Sequence, residues 1–474
     1  MRLHWHRQDL RAADNTGLTA AAEDEALPVF VFDPEILEYG APPRVAFMLD
    51  ALSSLRETYR EKGSDLLFTH GDPAEEIPRL IEEYEANGVT WNRDYTGLAR
   101  ERDRRVEDAL ADAGSEYERF HDAVHHEPGS ITTNDGDPYS VFTYFGNKWL
   151  DRGKEDPYPE PDAEDLADAE EVDSEELPSL EDLGFEKPGA TLPDAGTEAA
   201  RERLGAFCED DIHAYEDERD DLSSEPTSRL SQDLSYGTIG IREVYERTEE
   251  AMEEAGNDEQ RESIADFRSE LAWREFNIDV IYHNPSNVSL NHKDFENPIG
   301  WREDEDELDA WKAGETGYPV VDAAMRQLKE EAYIHNRARM IVGSFLTKDL
   351  RQDWRRGYEH FRDFLVDHNT PNDNGNWQWI GSTGTDAQPY FRVFNPMKQG
   401  SDYDPDAEYV ARYVPELEAV DPEEIHSWHE LSEAEREELA PDYPAPIVDH
   451  GERREEAISM FEQARGGDDD DDEE

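Results

Sequence analysis

The sequence predicts an α/β domain followed by an all-helical domain. The chain has 474 residues, which is long for one domain and suits two. In roughly the first 125 residues, short apolar runs alternate with amphipathic helical patterns, as in a parallel sheet covered on both faces. From about residue 206 the patterns are long and helical, and seven of the ten Trp lie at or after Trp273.

The first domain contains the repeated units of such a sheet. Strands are predicted at 3–5, 28–32, 65–69 and 89–92, and helices near 43–62, 74–86 and 98–113. Gly63, Gly88 and Gly114 are interpreted as helix stops. No G-x-G-x-x-G follows the first strand, so the usual dinucleotide site is not expected there.

Composition shifts divide the chain into four parts. We predict an α/β domain at 1–128, an interdomain linker at 129–205, a helical domain at 206–465 and a disordered acidic tail at 466–474. The linker is acidic, contains Pro and has weak periodicity.

The charge is strongly acidic. Lys and Arg total 46 against 118 Asp and Glu, a net charge of −72, and the acidic residues are scattered along the chain. The alternatives are disorder and a binder of cations or basic proteins, but 10% aromatic residues and clear periodicity favour a folded, salt-adapted protein. In such a protein only local Arg and Lys clusters bear on nucleic-acid binding.

The remaining bulk features exclude several classes. The single cysteine, Cys208, excludes an internal disulfide and a cysteine-rich metal site. No apolar run is long enough for a membrane span, and the N-terminus does not read as a signal peptide. We therefore expect a cytoplasmic monomer of a halophile, without a metal or a membrane partner.

Two stretches of the helical domain carry polar residues in unusual places. Thr227, Ser228 and Ser231 flank a predicted helix start, where an anion such as phosphate can bind, although a simple helix cap is the alternative. Glu270, Trp273, Arg274 and Asn277 lie at i, i+3, i+4 and i+7 and share one helix face. A salt-bridged Arg beside a packed Trp would also explain that face.

Two further stretches lie nearer the C-terminus. Asn336 and Met340, with Arg337 and Arg339, form either a surface for phosphates and bases or a helix exterior. Residues 373–376 (DNGN) are predicted to form a tight turn that delivers Trp377. A Trp-anchored corner of the core is the alternative for that stretch.

Taken together, these segments resemble the photolyase/cryptochrome family over nearly the whole chain. The segments are WHRQDLRAADN, TGYPVVDAAMRQL, IHNRARM, SFLTKDL and NWQWIGSTGTDAQPYFRVFNP, in the family's order and spacing. The resemblance implies a Rossmann-like N-terminal antenna domain and a helical domain that holds FAD.

Position by position, the resemblance implies a set of FAD contacts. The ribityl chain and pyrophosphate would be held by Tyr215, Thr227, Ser228, Arg229, Leu230 and Ser231. The ring system and adenine would be surrounded by Arg274, Asn336, Arg339, Asp367, His368, Asn369 and Asp373.

The resemblance also implies roles in repairing UV-damaged DNA under blue light. Glu270, as a neutral acid, would hydrogen-bond a cyclobutane pyrimidine dimer; Trp273 would stack on it, with Asn336 and Met340 beside it. Further DNA contacts would come from Arg337, Arg392, Lys398 and Gln399. Electrons would reach the flavin along Trp301, Trp354 and Trp377.

Within the family, the chain is most similar to class I cyclobutane-dimer photolyases. Enzymes that act on (6-4) photoproducts carry His where Asn336 and Met340 stand here. One residue departs: Asp373 aligns with the position facing flavin N5, which is Asn in most class I enzymes and Asp in plant cryptochromes. Either Asn372 or Asn374 takes that place, or the flavin is tuned differently, so a cryptochrome-like photoreceptor is the alternative function.

Three segments of the N-terminal domain bear on a light-harvesting antenna chromophore. FDPEIL, APPRVAFMLDAL and WNRDYTGLARERD resemble photolyases that bind a deazaflavin (8-HDF), and Asp33, Arg44 and Asp94 match the positions that hold it. Thr96 replaces an expected acidic residue. Folate (MTHF) is the alternative.

Overall fold

The computed structural model describes residues 1–224 and 226–466. Its five strands form one parallel sheet in the order β3-β2-β1-β4-β5. They are β1 (Arg2–His6), β2 (Ala26–Phe32), β3 (Leu67–His70), β4 (Gly88–Asn92) and β5 (Glu116–Phe120). The predicted fold class is confirmed: this sheet is followed by helices through the rest of the described chain.

Burial explains which strands the sequence revealed. The central strand β1 pairs on both sides, with Trp5 opposite Val29 and Trp91, and β2 is buried along its whole length. The edge strand β5 has the sequence EYERF and is largely exposed, so it lacks the apolar signal and was missed.

Five helices accompany the sheet: α1 (Thr16–Ala22), α2 (Pro34–Leu37), α3 (Pro42–Glu61), α4 (Pro73–Glu83) and α5 (Gly97–Ala113). Gly63 and Gly114 have positive φ at the ends of α3 and α5, as predicted for helix stops. The interpretation of Gly88 was wrong, because Gly88 is the first residue of β4. The chain leaves α4 through Glu85, which takes the left-handed conformation.

The segment between the two domains is more ordered than its composition suggested. It contains α6 (Phe142–Asp151), and α7 (Thr197–Glu209) begins inside it. Residues 142–151 and 197–205 of the predicted linker are therefore helical. Both helices are stabilised by buried apolar side chains, such as Trp149 in α6 and Leu204 in α7. Leu166 also forms a bridge to Ala26 beside the sheet.

The helical domain packs around a core that includes Trp311, Trp354 and Trp377. A π-helical turn, Phe345–Asp349, follows the helix Asn336–Ser344. The remaining α-helices are α8 (Tyr215–Glu218), α9 (Ser231–Tyr236), α10 (Ile241–Glu254), α11 (Asp258–His283), α12 (Glu305–Ala313), α13 (Pro319–Glu331), α14 (Asn336–Ser344), α15 (Trp354–Phe364), α16 (Thr370–Ile380), α17 (Pro396–Tyr403), α18 (Glu408–Tyr413), α19 (Pro422–His426), α20 (Glu433–Leu439) and α21 (His450–Ala464).

Two features of the chain ends complete the fold. Among the described residues, no helix is both long and apolar enough to cross a membrane. The predicted acidic tail lies, apart from Gly466, outside the described residues.

A buried ion-pair network joins the two domains. Asp122 follows β5, and its carboxylate accepts hydrogen bonds from Arg11 and Arg242 at 2.5 Å each. Arg242 also donates to Asp14. All four side chains are almost fully buried. Burial alone would raise the pKa of Asp122, but the two guanidinium groups hold it below its usual value.

Candidate active site

Two cavities mark the places where ligands fit. The first, of about 270 Å³, lies between the carboxyl ends of the strands and the helical domain. The second, of about 390 Å³, lies within the helical domain. Arg274 lines both cavities, and the first turn of α16 separates them, with Asn369 at the first and Asp373 at the second.

The predicted face of α11 forms one wall of the second cavity. Glu270, Trp273, Arg274 and Asn277 all line it, so the i, i+3, i+4, i+7 interpretation is confirmed as geometry. The guanidinium of Arg274 donates to the backbone oxygens of Ala123 and Leu234.

Glu270 is a carboxyl group held next to one cation. Its Oε1 accepts from Arg219 Nη1 at 2.7 Å, and the same nitrogen lies 2.8 Å from Asp266. Burial raises the pKa of Glu270, and Arg219 opposes that rise. Arg219 also lines the cavity, and sequence reasoning missed it because it lies on a loop 51 residues away.

The side chain of Trp273 has one face covered. Phe142, the first residue of α6, stacks on the indole with ring centroids 3.7 Å apart and planes 11° apart. Trp273 lines the cavity, so a second planar group can only stack on the indole from inside it. Phe142 had no sequence signal, because its stretch was assigned to a linker.

Helix α14 forms a second wall through Asn336, Arg337, Arg339 and Met340. Arg337 pairs with Asp220 and lies over the ring of Tyr403. Arg339 donates to Asp367 at 2.7 Å and is largely buried. All four residues line the cavity, and Asn336 among them is exposed, so the alternative of a helix exterior is not excluded for Asn336.

Helix α16 forms the third wall and corrects one prediction. Residues 373–376 are not a turn but the middle of the helix, which begins with Asn369 as its N-cap. Tertiary packing outweighs the local turn preference of Asn and Gly: Asn374 donates to the backbone oxygen of Asn287. At Gly375, an added Cβ would lie 2.3 Å from Asn277 Oδ1, so the close approach to α11 requires glycine.

Asp373 is buried within a small charged cluster. Its Oδ2 lies 2.5 Å from His368 Nδ1, and its Oδ1 lies 3.5 Å from Arg339 Nη1. Burial alone would raise the pKa of Asp373, but His368 and Arg339 lower it. Asn372 and Asn374 also line the second cavity and have hydrogen-bond partners of their own.

The predicted anion loop is only partly at the cavity. Helix α9 begins at Ser231, so the predicted helix start is confirmed, and its N-cap position, Leu230, makes no side-chain cap hydrogen bond. Thr227 lines the cavity, and its buried Oγ1 has no partner among the described residues. Arg229 pairs with Glu331 and lies over Tyr333. Ser228, Leu230 and Ser231 are not among the lining residues.

The other expected FAD contacts divide between the two cavities. Tyr215 lines the second, with its ring buried. His368 and Asn369 line the first, although His368 reaches Asp373 at the second. Asp367 stands behind Arg339 and lines neither cavity.

The expected outer DNA contacts and tryptophans lie at different depths. Arg392 is exposed, Lys398 pairs with Asp402, and the buried Gln399 Oε1 has no partner among the described residues. Trp377 lines the second cavity. Trp354 is fully buried in the same core, and the partly exposed Trp301 packs against Phe461.

The first cavity contains the three residues expected at the antenna site. Asp33 accepts from the backbone N–H of Glu35, Asp94 accepts from that of Thr96, and Arg44 donates to the backbone oxygen of Tyr39. All three line the cavity although they lie on separate loops and a helix.

One buried group beside the first cavity has the residue types of a metal site. His4, His6 and Asp9 lie close together at the end of β1. The ring nitrogens of His4 contact Thr90 and Asp9, and those of His6 contact Asp9 and Tyr59. The Asp9 carboxylate also accepts hydrogen bonds from the side chains of Asn15 and Asn92. We interpret the group as a self-satisfied polar network that shapes the floor of the cavity.

Comparison with known proteins places this geometry in one family. The profile described as "DNA photolyase" matches residues 2–162, and that described as "FAD binding domain of DNA photolyase" matches residues 267–463. A deoxyribodipyrimidine photo-lyase of Halobacterium salinarum is 58% identical over 98% of this chain and 100% of its own length.

Solved structures agree over almost the full length. A bacterial class III photolyase from Agrobacterium tumefaciens superposes with a TM-score of 0.90 at 34% identity, covering 98% of this chain and 97% of its own. A cryptochrome from Synechocystis gives a TM-score of 0.88 at 26% identity, covering 97% and 99%. Overall shape therefore does not separate repair enzymes from photoreceptors, and the site residues carry that distinction.

Proposed function

The chain belongs to the photolyase/cryptochrome family, and from this premise we propose that it splits cyclobutane pyrimidine dimers in DNA in a light-driven reaction. One observation carries the proposal: Glu270 and Trp273 on α11 and Asn336 and Met340 on α14 line a single cavity. That wall offers an acid, an aromatic face, an amide and a thioether to one flipped-out lesion. The H. salinarum photo-lyase, at 58% identity, supports the same activity.

The residues of the second cavity fit FAD. Thr227 Oγ1 is a buried hydroxyl that has no partner among the described residues, as expected of a group that donates to a phosphate. Arg274 and Arg339 bring positive charge, and Asn336 and Asn372 bring amides able to bind ring nitrogens and carbonyls. When bound and reduced, FAD supplies the photoexcited electron that opens the cyclobutane ring.

The protein's own part is to position the lesion and exclude water. Glu270 donates a hydrogen bond to the dimer in its neutral form, which burial favours. Trp273 stacks on the dimer from inside the cavity, because Phe142 already covers its other face. Arg219 stands beside Glu270 and sets the pH at which Glu270 loses its proton.

Two further assignments extend the proposal. The partly exposed Trp301, the buried Trp354 and Trp377 at the cavity wall would carry electrons from the surface to the flavin. The first cavity, with Asp33, Arg44 and Asp94, holds a light-harvesting chromophore, an 8-HDF deazaflavin or else a folate. We also propose that DNA is contacted by Arg337, Arg392, Lys398 and Gln399. The remaining FAD contacts are proposed as the family resemblance implies.

A cryptochrome-like photoreceptor is the less favoured function. Asp373 motivates it, but relatives that are 58% and 39% identical carry the photo-lyase name. Asp373 is also committed to His368 and Arg339, which keep it ionised. We expect this cluster to tune the flavin without replacing repair as the main activity.

The test is a repair assay in molar KCl with the reduced holoprotein and an oligonucleotide that contains a dimer. We expect dimers to disappear in blue light and to persist in the dark. Glu270→Ala should lower the yield of repair per absorbed photon more than it lowers binding, whereas Trp273→Ala should mainly weaken binding. Dimer levels that stay constant in the light would contradict the proposed function.

A further inference from the structure

The ring of Tyr245 on α10 is surrounded by side chains from three other segments. Lys154, just beyond α6, places its Nζ 5.2 Å from the ring centroid, and Arg268 on α11 places its guanidinium carbon 4.6 Å from it. His125, in the segment after β5, meets the ring edge to face with centroids 5.2 Å apart. We call Lys154, His125, Tyr245 and Arg268 the Tyr245 cluster. None of these four residues lines the first or the second cavity.

The Tyr245 cluster contains two cations without an acidic partner. Lys154 Nζ donates to two backbone oxygens, and Arg268 Nε donates to the hydroxyl of Thr248 at 2.8 Å. Within the described stretches of the chain, neither cation pairs with a carboxylate, whereas Arg247 on α10 and Arg261 on α11 each do. In a chain with 118 acidic and 46 basic residues, such cations need an explanation.

Three buried nitrogen atoms of the cluster also lack partners. They are Arg268 Nη2 and both ring nitrogens of His125, and none has a hydrogen-bond partner among the residues that the structure describes. Burial lowers the pKa of His125 to about 2, so the ring is neutral and one of its nitrogens carries a hydrogen. Buried polar groups in folded proteins are nearly always hydrogen-bonded, so donors that meet at one place indicate a bound ligand.

The electrostatics of the cluster favour a negatively charged ligand. Burial lowers the pKa of Lys154 to about 8, and the charge of Arg268 adds to the fall while Glu275 opposes it. Glu275 does not neutralise the two cations, because it already accepts from the backbone N–H groups of His125 and His126. Burial also raises the pKa of Glu275 to about 7, so it carries less than a full charge at neutral pH. An anion beside both cations would offset their repulsion.

N–H donors and cations without an acidic partner suit one class of ligand, a small inorganic anion. We propose that the Tyr245 cluster binds such an anion, and that chloride occupies the site at molar salt. Arg268 Nη2 and a ring N–H of His125 donate to the ion, and Lys154 supplies the second positive charge. The cluster joins the segment after β5 to α6, α10 and α11, so the ion fastens the N-terminal domain to the helical domain. The inference does not depend on the proposed function.

Bromide replaces chloride in such sites, and its anomalous scattering shows its position directly. We expect crystals of the holoprotein grown in KBr to show an anomalous peak within hydrogen-bond distance of Arg268 Nη2 and the His125 ring. Crystals grown in potassium phosphate without halide separate a halide site from an oxyanion site. Ordered water alone in both crystals would overturn the proposal. A phosphate in the second crystal without a bromide peak in the first would support an anion site and overturn chloride as its occupant.

Thermal unfolding in two potassium salts tests the same ion in solution. A ligand that binds only the folded protein stabilises it by an amount that grows with ligand concentration, so losing the site should matter only where chloride is present. We expect Arg268→Gln to lower the unfolding midpoint more in molar KCl than in potassium gluconate of equal concentration. His125→Phe, which keeps an aromatic ring and removes both nitrogens, should behave in the same way. Arg247→Gln, which removes a paired arginine from α10, should lower the midpoint equally in the two salts.

The contrary results are distinct from one another. Equal losses in KCl and gluconate for both Arg268→Gln and His125→Phe would overturn the anion site, because they would reflect packing alone. If Arg268→Gln does not fold, His125→Phe and the bromide crystals of the wild type decide the question. Folded variants should repair dimers at the wild-type level, since no residue of the cluster lines the second cavity. Failure of the wild type to repair dimers would contradict the proposed function and leave the anion site standing.

Discussion

The two cavities of this protein are built on different principles. Around the first, buried polar groups form hydrogen bonds and ion pairs with one another. Asp9 pairs with His4 and Asn92, and Asp122 pairs with two arginines. Around the second, Glu270 has an exchangeable partner in Arg219, and the Thr227 hydroxyl has no partner within the part of the chain that the structure describes. A closed network gives a rigid container, whereas exchangeable partners leave groups available to a substrate.

The same contrast occurs along α11 within one and a half turns. Glu270 faces the second cavity next to a cation. Glu275 is buried on the opposite side, where it accepts from the backbone N–H groups of His125 and His126. Burial raises the pKa of Glu275 to about 7. One carboxyl group thus lies at the cavity beside a cation, and the other accepts hydrogen bonds from the segment that follows β5.

The largest effect should come from the closed network. Asp122→Ala leaves Arg11 and Arg242 buried without that carboxylate, and removing one partner of a buried pair costs about 3–5 kcal/mol. Because the pKa of Asp122 is depressed in the fold, its stabilisation is present above its unfolded value and is lost as pH falls through the folded one. We expect a large fall in the free energy of unfolding in molar KCl, with the flavin content of the folded fraction unchanged.

A parallel loss of flavin in the folded Asp122→Ala protein would contradict the separation of the two cavities. Asp108→Ala is a suitable control, since its pair with Arg104 is exposed. Exposed pairs contribute about 0–1 kcal/mol, so this variant should unfold as the wild type does.

The next effect is a pH dependence carried by Glu275. Its folded pKa of about 7 lies above the usual 4.5, so its favourable contribution is complete below pH 4.5 and is lost as pH rises to 7. The shift corresponds to about 3 kcal/mol. Burial lowers the pKa of His4, His125 and His126, which changes stability in the opposite sense over this range. The useful quantity is therefore the difference between wild type and Glu275→Gln.

We expect that difference to move in favour of Glu275→Gln by about 3 kcal/mol between pH 4.5 and pH 7. Chemical denaturation at several pH values measures it. A stability difference that does not change with pH would contradict the raised pKa of Glu275 in the folded protein.

A smaller effect should follow from the stack beneath Trp273. Phe142→Ala removes the ring that fixes the indole plane, and an aromatic pair contributes about 0.5–1.5 kcal/mol beyond burial. We expect binding of the dinucleotide dimer to weaken about fivefold to tenfold, with Phe142→Tyr close to wild type. Phe145→Ala, which removes a ring on the same helix that packs on Phe276 instead, is the control. Equal losses for Phe142→Ala and Phe145→Ala would indicate general loosening of α6.

The smallest effect concerns Arg219. Its guanidinium lowers a Glu270 pKa that burial raises, so Arg219→Gln should raise that pKa further. The neutral acid is the binding form, and lesion binding should persist to higher pH in the variant than in wild type. Titration of dimer affinity against pH measures the midpoint. A midpoint that moves to lower pH would exclude Glu270 as the donor.

The sequence predicted the second cavity better than the first. Helical spacing alone placed Glu270, Trp273 and Arg274 on one wall, because i, i+3 and i+4 positions share a face whatever the tertiary context. Arg219 and Phe142 complete the wall from a loop and from an unrecognised helix, and nothing local marks such long-range contacts. Asp33, Arg44 and Asp94 meet at the strand ends only through the topology of the sheet, so the family resemblance was needed to group them.

Local residue preference predicts the wrong conformation where tertiary packing is strongest. The DNGN stretch has the residues of a turn, yet Asn374 is held by Asn287 and Gly375 by the close approach of Asn277. These contacts lie about 90 residues away in sequence, and they decide the conformation.

The most direct test of the whole account is the flavin content and repair activity of two variants that each narrow one cavity. Gly375→Leu places a side chain where a Cβ already meets Asn277 at the second cavity, and Leu98→Trp fills space at the first. With folding of both confirmed by thermal unfolding, we predict that Gly375→Leu loses bound FAD and light-driven dimer repair, while Leu98→Trp keeps both. FAD and repair retained by Gly375→Leu and lost by Leu98→Trp would contradict the placement of flavin and lesion in the second cavity.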